Sequence, residues 1–169
     1  DLPAVVVDRL AGQRHPARRG LDHGAEALEQ RALAGAARTD EPDDLAGLAE
    51  VKRASRIPVI ADESCLTSAD IPRLVGCVDG INIKLAKCGS LREAIRMIAI
   101  ARAHQMMVMV GCMIESSVAI TAAAHFTPLV DIVDLDGAAL LSNDPFRGAT
   151  IDGGQVRLPS GPGLGLTQR

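Results

Sequence analysis

The sequence predicts an α/β fold made of parallel strand–helix repeats, and two observations support that prediction. Four short, strongly apolar segments begin near positions 57, 80, 106 and 129, a spacing of 23 to 26 residues. The stretches between them place apolar residues at the three- and four-residue spacing of helices. Continuous apolar strands that alternate with helices are typical of parallel sheets with both faces covered.

Local signals define the individual elements. A helix over residues 44–55 is predicted because Pro42 precedes it and aspartates open it, which suits the helix dipole. Ser68 as an N-cap and Pro72 in the first turn predict a helix over residues 69–75. The other predicted elements are strands at 57–61, 80–84, 106–110 and 129–135, a helix at 91–104 capped by Ser90, and a helix from Ser116 or Ser117 to His125.

Three regions are expected along the chain. Residues 1–40 hold one candidate barrel strand, LPAVVVD, followed by an Arg-rich stretch that we interpret as a solvated loop. Residues 41–145 contain the strand–helix units. Residues 146–169 form a terminal tail with one short strand and several Gly/Pro turns.

Composition excludes several functional classes. The net charge is −3, and the chain has two Phe but no Tyr or Trp, so neither a basic field nor an aromatic platform for nucleic acid is expected. No apolar run is long enough to span a bilayer. The four cysteines form no C-x-x-C pair, which disfavours a zinc site and predicts free thiols in a reducing cytoplasm.

Ionisable residues follow each of the four predicted strands. Asp62 and Glu63 follow the first, Lys84 ends the second, Glu115 lies shortly after the third, and the fourth carries Asp134. The carboxyl ends of parallel strands lie on one side of the sheet, where α/β enzymes place their active sites. We therefore expect these groups to converge, although any one of them alone is more typical of a helix cap or a solvated rim residue.

Lys84 ends an otherwise apolar strand, where partial desolvation is expected to lower its pKa towards the range of a general base. The alternative is a lysine that extends to the solvent at the rim. Carboxylates nearby suit Mg²⁺, and a lysine base beside Mg²⁺ is a known solution for removing a proton α to a carboxylate.

Five segments, taken together, resemble the C-terminal barrel of the enolase superfamily, in its muconate-lactonizing and mandelate racemase-like branch. They are IPVIADES, DGINIKLAKCGS, MVGCMIESS, VDLDG and LPSGPGLGL, and they cover about residues 42–166 in the family's order. The resemblance implies the C-terminal part of a (β/α)8 TIM-type barrel. The barrel is expected to be incomplete, because 169 residues are fewer than the roughly 250 that a full barrel needs.

The resemblance also implies roles for individual residues. Lys84 corresponds to the acid/base lysine on the sixth barrel strand, and Asp62 to the third metal-binding carboxylate, with Glu63 behind it. Asp134 and Asp136 resemble the Asp-x-Asp pair with which dipeptide epimerases hold the substrate's ammonium group. The pocket-lining loop after the seventh strand is represented by Cys112, Met113 and Glu115.

Two family features are missing from the sequence. The Lys-x-Lys motif, whose second lysine is the opposite acid/base, is absent, because Lys52, Lys84 and Lys87 are the only lysines. Asp8 lies where the first metal ligand is expected, but the second, a Glu in Glu-Gln-Pro, has only an echo at Glu29. Residues 1–40 are therefore interpreted as a diverged or frameshifted segment.

The implied function is Mg²⁺-dependent abstraction of a proton α to a carboxylate, as in L-Ala-D/L-Glu-type dipeptide epimerisation, by part of a longer enzyme. The expected partner is a small molecule, a dipeptide or another carboxylate, with no nucleic acid and no membrane. Open sheet edges predict a homo-oligomer. The alternatives are a catalytically inactive remnant, a relative of muconate cycloisomerase or o-succinylbenzoate synthase, and an unrelated phosphate-binding βα domain; the last lacks a Gly-rich fingerprint.

Overall fold

A computed structural model of the chain describes the backbone of residues 5–7 and all of residues 44–169. The predicted strand–helix repeat is present, with strands shorter than expected. Its elements are β1 (Val5–Val7), α1 (Leu45–Ala54), β2 (Val59–Ala61), α2 (Ile71–Leu74), β3 (Gly80–Ile83), α3 (Leu85–Cys88), α4 (Leu91–Ala103), β4 (Met107–Val110), α5 (Ser117–Ala124) and β5 (Ile132–Val133).

The strands form one parallel sheet in chain order, β1-β2-β3-β4-β5. Each strand pairs with the next one along the chain, for example Val5 with Val59 and Ile83 with Val110. All carboxyl ends therefore lie on one side of the sheet, as the sequence predicts. The candidate strand LPAVVVD is confirmed as β1 over its three central valines.

The core lies between this sheet and its helices and consists of aliphatic side chains. β2 and β3 are buried at every position, and α4 packs against β3 and β4 through one apolar face. Fully buried members of the core include Ile60, Ile71, Leu74, Ile81, Ile83, Met97, Val108 and Val110. No helix in the described part of the chain is long and apolar enough to cross a membrane.

One helix prediction was wrong in its bounds, and one short helix was not predicted. The helix expected over 69–75 spans only Ile71–Leu74, and its N-cap residue is Asp70. Ser68 lies two residues before this N-cap, and its N–H donates to Glu93 at the start of α4. The short helix α3 was not predicted; it follows Lys84 directly and ends at Gly89, whose φ of 79° is the left-handed conformation that favours glycine.

The end of the sheet and the tail also differ from expectation. The strand predicted over 129–135 is reduced to Ile132–Val133, because Thr127–Leu129, around Pro128, forms a 3-10 turn instead. A second 3-10 turn covers Asp136–Leu140. The tail holds four short strands rather than one, paired as two antiparallel ribbons: β6 (Phe146–Arg147) with β9 (Thr167–Gln168), and β7 (Thr150–Asp152) with β8 (Gln155–Arg157).

Candidate active site

A cavity of about 310 Å³ opens at the carboxyl ends of β2 to β5. Four residues reach it from the position directly after a strand: Asp62 after β2, Lys84 after β3, Gly111 after β4 and Asp134 after β5. The lining is completed by Asn82, Met109 and Cys112. The convergence of charged groups that strand direction predicts is thus present.

Asp62 is the centre of a buried ion-pair cluster. Its carboxylate is 2% exposed, and its Oδ2 lies 2.7 Å from Lys84 Nζ, whose side chain is 10% exposed. The ammonium group of Lys87, on α3, pairs with Oδ1 of the same carboxylate. One buried carboxylate therefore pairs with two ammonium groups, which leaves these three side chains with one excess positive charge.

Glu63 extends this cluster towards solvent. Its Oε1 lies 3.6 Å from Lys87 Nζ and 4.0 Å from Lys84 Nζ, and its side chain is 31% exposed. At these distances the carboxylate offsets part of the excess positive charge. The predicted role of Glu63 behind Asp62 stays a prediction.

Asn82 joins the cluster from within β3. Its side-chain Nδ2 donates to Asp62 Oδ2 at 3.2 Å, and the residue is 2% exposed. The amide lies against Gly111, where a Cβ would come within 2.8 Å of both Nδ2 and Oδ1 of Asn82. A residue larger than glycine at position 111 would therefore displace the Asn82 amide, and the constraint is one of space, since the Gly111 backbone is not among those with positive φ.

Asp134 adds a carboxylate to the lining of the cavity. Partial burial raises the pKa of Asp134, the nearby Asp136 raises it further, and Lys84 opposes the shift. Burial also raises the pKa of the Cys112 thiol, and the surrounding carboxylates act in the same direction. Cys112 is accordingly a neutral thiol that accepts a hydrogen bond from the Gly137 N–H, which is unsuited to nucleophilic catalysis.

The predicted loop residues divide into two groups. Cys112 and Asp134 line the cavity, whereas Met113, Glu115 and Asp136 are not part of its lining. Glu115 accepts a hydrogen bond from the Met113 N–H, which fixes the loop after β4, and Met113 is 41% exposed. Asp136 influences the cavity electrostatically, because its charge raises the pKa of Asp134.

The described residues do not fit a divalent cation by themselves. Within residues 44–169, no three His, Cys, Asp or Glu side chains lie together in a way that could hold a metal ion. Both oxygens of Asp62 are engaged by lysines. The other two predicted ligands, Asp8 and Glu29, lie outside the described residues, so the metal role of Asp62 stays a prediction.

Sequence reasoning missed Asn82, Lys87 and Gly111. Asn82 had a usable signal, because it is the one polar residue in the apolar strand GINI. Lys87 had none without knowledge of α3, the turn that directs it back to Asp62. Gly111 could be recognised only once the amide that it accommodates was located.

The amino-acid sequence of the chain is similar to a known protein family and to characterised proteins. The family model described as "Enolase C-terminal domain-like" matches residues 37–169. An L-Ala-D/L-Glu epimerase of Bacteroides thetaiotaomicron is 48% identical over 124 residues, which are 73% of this chain and 32% of that protein. An L-Ala-D/L-amino acid epimerase of Maribacter sp. is 46% identical over 85% of this chain and 41% of its own length. The chain thus spans about a third to two fifths of these relatives.

Solved structures agree. A substrate-liganded L-Ala-D/L-Glu epimerase from Bacillus subtilis superposes with a TM-score of 0.72 and 36% identity, over 85% of this chain and 43% of that one. A dipeptide epimerase from Enterococcus faecalis, complexed with Mg and L-Leu-L-Tyr, gives 0.68 and 35%, over 76% and 38%. These overlaps confirm the predicted fold class, part of a (β/α)8 barrel.

Proposed function

The chain belongs to the enolase C-terminal domain-like family, and we propose that it carries one half of a dipeptide epimerase active site, in which Lys84 exchanges a proton at the carbon α to a carboxylate. The observation that carries this proposal is the position of Lys84. It follows β3 directly, points into the cavity and lies 2.7 Å from the buried Asp62. A lysine in this position can reach a substrate bound in the cavity and is largely shielded from bulk water.

The second lysine of the cluster makes this proton transfer feasible. When Lys84 acts as a neutral amine and takes the α proton, Asp62 retains a cationic partner in Lys87. The buried carboxylate is therefore not left unpaired, which would be costly. When Lys84 holds the proton, Asp62 and Glu63 together balance the two ammonium groups.

A dipeptide fits the charge pattern of the cavity. Asp134, supported by Asp136, offers negative charge for an α-ammonium group in the cavity that Lys84 also lines. The relatives from Bacteroides and Maribacter are named as epimerases of L-Ala dipeptides, which agrees with this assignment. We propose a small dipeptide with a free amino terminus as the substrate.

Exchange on one face of the α carbon is what this chain itself can supply. Epimerisation needs acid/base groups on both faces, and of the three lysines in the sequence Lys52 lies at the other end of the sheet, paired with Asp79. Magnesium enters the proposal because the Enterococcus relative is complexed with it.

Deuterium incorporation tests the proposal. The chain is incubated with L-Ala-L-Glu in D₂O, with and without added Mg²⁺, and loss of the α-proton signals is followed by NMR. We expect slow exchange without inversion for the native chain and a fall of about 10²- to 10⁴-fold for Lys84→Met, the usual contribution of a general base. Equal exchange by both proteins would refute the role of Lys84.

A catalytically inactive remnant is the second candidate, and one observation favours it. Both oxygens of Asp62 are engaged by lysines, and the described residues hold no three-ligand cluster. This alternative predicts no exchange above background with any dipeptide, while the chain still folds. The same experiment therefore separates the two.

A further inference from the structure

Asn82 lies where the rest of its strand is aliphatic. β3 is buried at all four positions, and the neighbours Ile81 and Ile83 are fully buried. A side-chain amide in such surroundings loses its hydrogen bonds to water and must regain them inside the protein. An apolar residue could occupy this position of the strand without losing hydrogen bonds to water, so the fold alone does not explain why an amide is present.

Inside the protein, the Asn82 amide regains only some of the hydrogen bonds that it would make to water. Nδ2 donates to Asp62 Oδ2 at 3.2 Å, while Oδ1 has no hydrogen-bond partner within the described part of the chain. The single identified partner of this buried group is thus the carboxylate at the centre of the candidate site. A buried amide that satisfies only part of its hydrogen-bonding capacity, next to the carboxylate that pairs with Lys84, is typical of a site where local stability is given up for function.

The strand beside it is adapted to the amide. In the sheet register Asn82 pairs with Met109 and Ile83 with Val110, so Gly111 follows at the end of β4 beside the cavity. Any larger residue at 111 would place its Cβ 2.8 Å from both terminal atoms of the amide. Gly111 therefore leaves the space in which the amide can face Asp62.

We propose that Asn82, accommodated by Gly111, is a positioning residue that fixes the Asp62 carboxylate in the orientation that pairs with Lys84. Its Nδ2 and the Lys84 ammonium share Oδ2, and Lys87 holds Oδ1, so the three donors together determine the rotation of the carboxylate. The inference rests on the proposed function for its importance to the reaction, but the positioning itself is testable without substrate.

The test measures the reactivity of Lys84 towards a small acetylating reagent at fixed pH, by peptide mass spectrometry on the full chain. Lys52 is the internal reference, because its pair with Asp79 lies at the other end of the sheet. Two variants act on the amide differently. Asn82→Leu removes the donor and keeps the branched shape and the number of side-chain heavy atoms, and Gly111→Ala keeps the donor but displaces it from Asp62.

In both variants we expect the Lys84-to-Lys52 labelling ratio to rise about three- to tenfold, the factor that corresponds to losing one ordinary hydrogen bond. Asn82→Leu is expected to keep or raise the urea midpoint, since it removes a half-satisfied buried group. A purely structural role predicts the reverse, a lower midpoint with an unchanged ratio.

An unchanged ratio in both folded variants overturns the proposal. Failure of both variants to fold overturns it too, because the pair would then be needed for the fold itself. The result is distinct from that of the deuterium experiment. A raised ratio without any dipeptide exchange would support the positioning role and count against the proposed reaction.

Discussion

The two ends of the parallel sheet use the same kinds of charged residues in opposite ways. At the amino end, Asp79 precedes β3, accepts the Val59 N–H at 2.9 Å and pairs with Lys52 at 3.1 Å. Asp131 repeats this arrangement before β5, accepting the Val108 N–H at 2.8 Å while Arg102 binds both of its oxygens. Each carboxylate there links a strand to the cation of a preceding helix.

At the carboxyl end the charges are not matched one to one. Asp62 serves two lysines, the Asn82 amide is half satisfied, and Asp134 is repelled by Asp136. Barrel proteins use the amino-terminal face of their strands for stability and the carboxyl-terminal face for chemistry. In this sheet, carboxylates that are each paired with one cation mark the amino-terminal face, and groups without a one-to-one charge balance mark the carboxyl-terminal face.

Removing the Asp62 carboxylate should have the largest effect on stability. Asp62→Asn removes the buried carboxylate that pairs with two nearly buried ammonium groups, so we expect the free energy of unfolding to fall by about 3 kcal/mol. Urea denaturation measures it. Asp79→Asn is the matched control at the other end, where a half-exposed pair predicts a loss of about 1 kcal/mol. Equal losses would remove the distinction between the two ends.

Asp131→Asn should have a smaller effect that depends on pH. The Arg102 hydrogen bonds lower the pKa of Asp131, so its contribution is fully present above the unfolded pKa and is lost as pH falls through the folded one. We expect a loss of about 1 kcal/mol at pH 7, given solvent screening at this exposed pair. Thermal unfolding from pH 7 to pH 2 should show a shallower acid decline in the variant; parallel curves would contradict this.

Asp134→Asn should have the smallest effect and the opposite sign. Partial burial and Asp136 raise the pKa of Asp134, so its ionisation weakens the fold as pH rises through the folded pKa. The variant should therefore gain no more than about 0.5 kcal/mol at neutral pH, after allowance for solvent exposure. The same thermal series measures it, and a clear loss of stability would show that Asp134 makes a stabilising contact.

Much of this arrangement could be predicted from the sequence because strand direction alone decides it. Once 57–61 and 80–84 are recognised as parallel strands, Asp62 and Lys84 are expected at the same edge of the sheet. The same reasoning brings Asp134 to that edge from the end of its own strand. Ser90 was likewise predictable as the cap of α4, where its side chain accepts from the Glu93 N–H.

The remainder depends on contacts that no local pattern encodes. The Ser68 N–H donates to Glu93, and the helix expected over 69–75 begins only at Ile71, with Asp70 in the N-cap position. Lys87 reaches Asp62 only because α3 turns the chain back after β3. The roles of Asp8 and Glu29, the cytoplasmic location and the homo-oligomer stay predictions.

Deuterium exchange also tests whether the two ends of the sheet differ in function, by comparing one lysine from each end of the sheet. Lys52→Met and Lys84→Met carry the same substitution, and their unfolding free energies are measured alongside. We predict that Lys52→Met weakens the fold by about 1 kcal/mol and leaves α-proton exchange unchanged, whereas Lys84→Met abolishes exchange in a folded protein. Loss of exchange in folded Lys52→Met, or its persistence in Lys84→Met, would contradict the division of the sheet into a stabilising end and a reactive end.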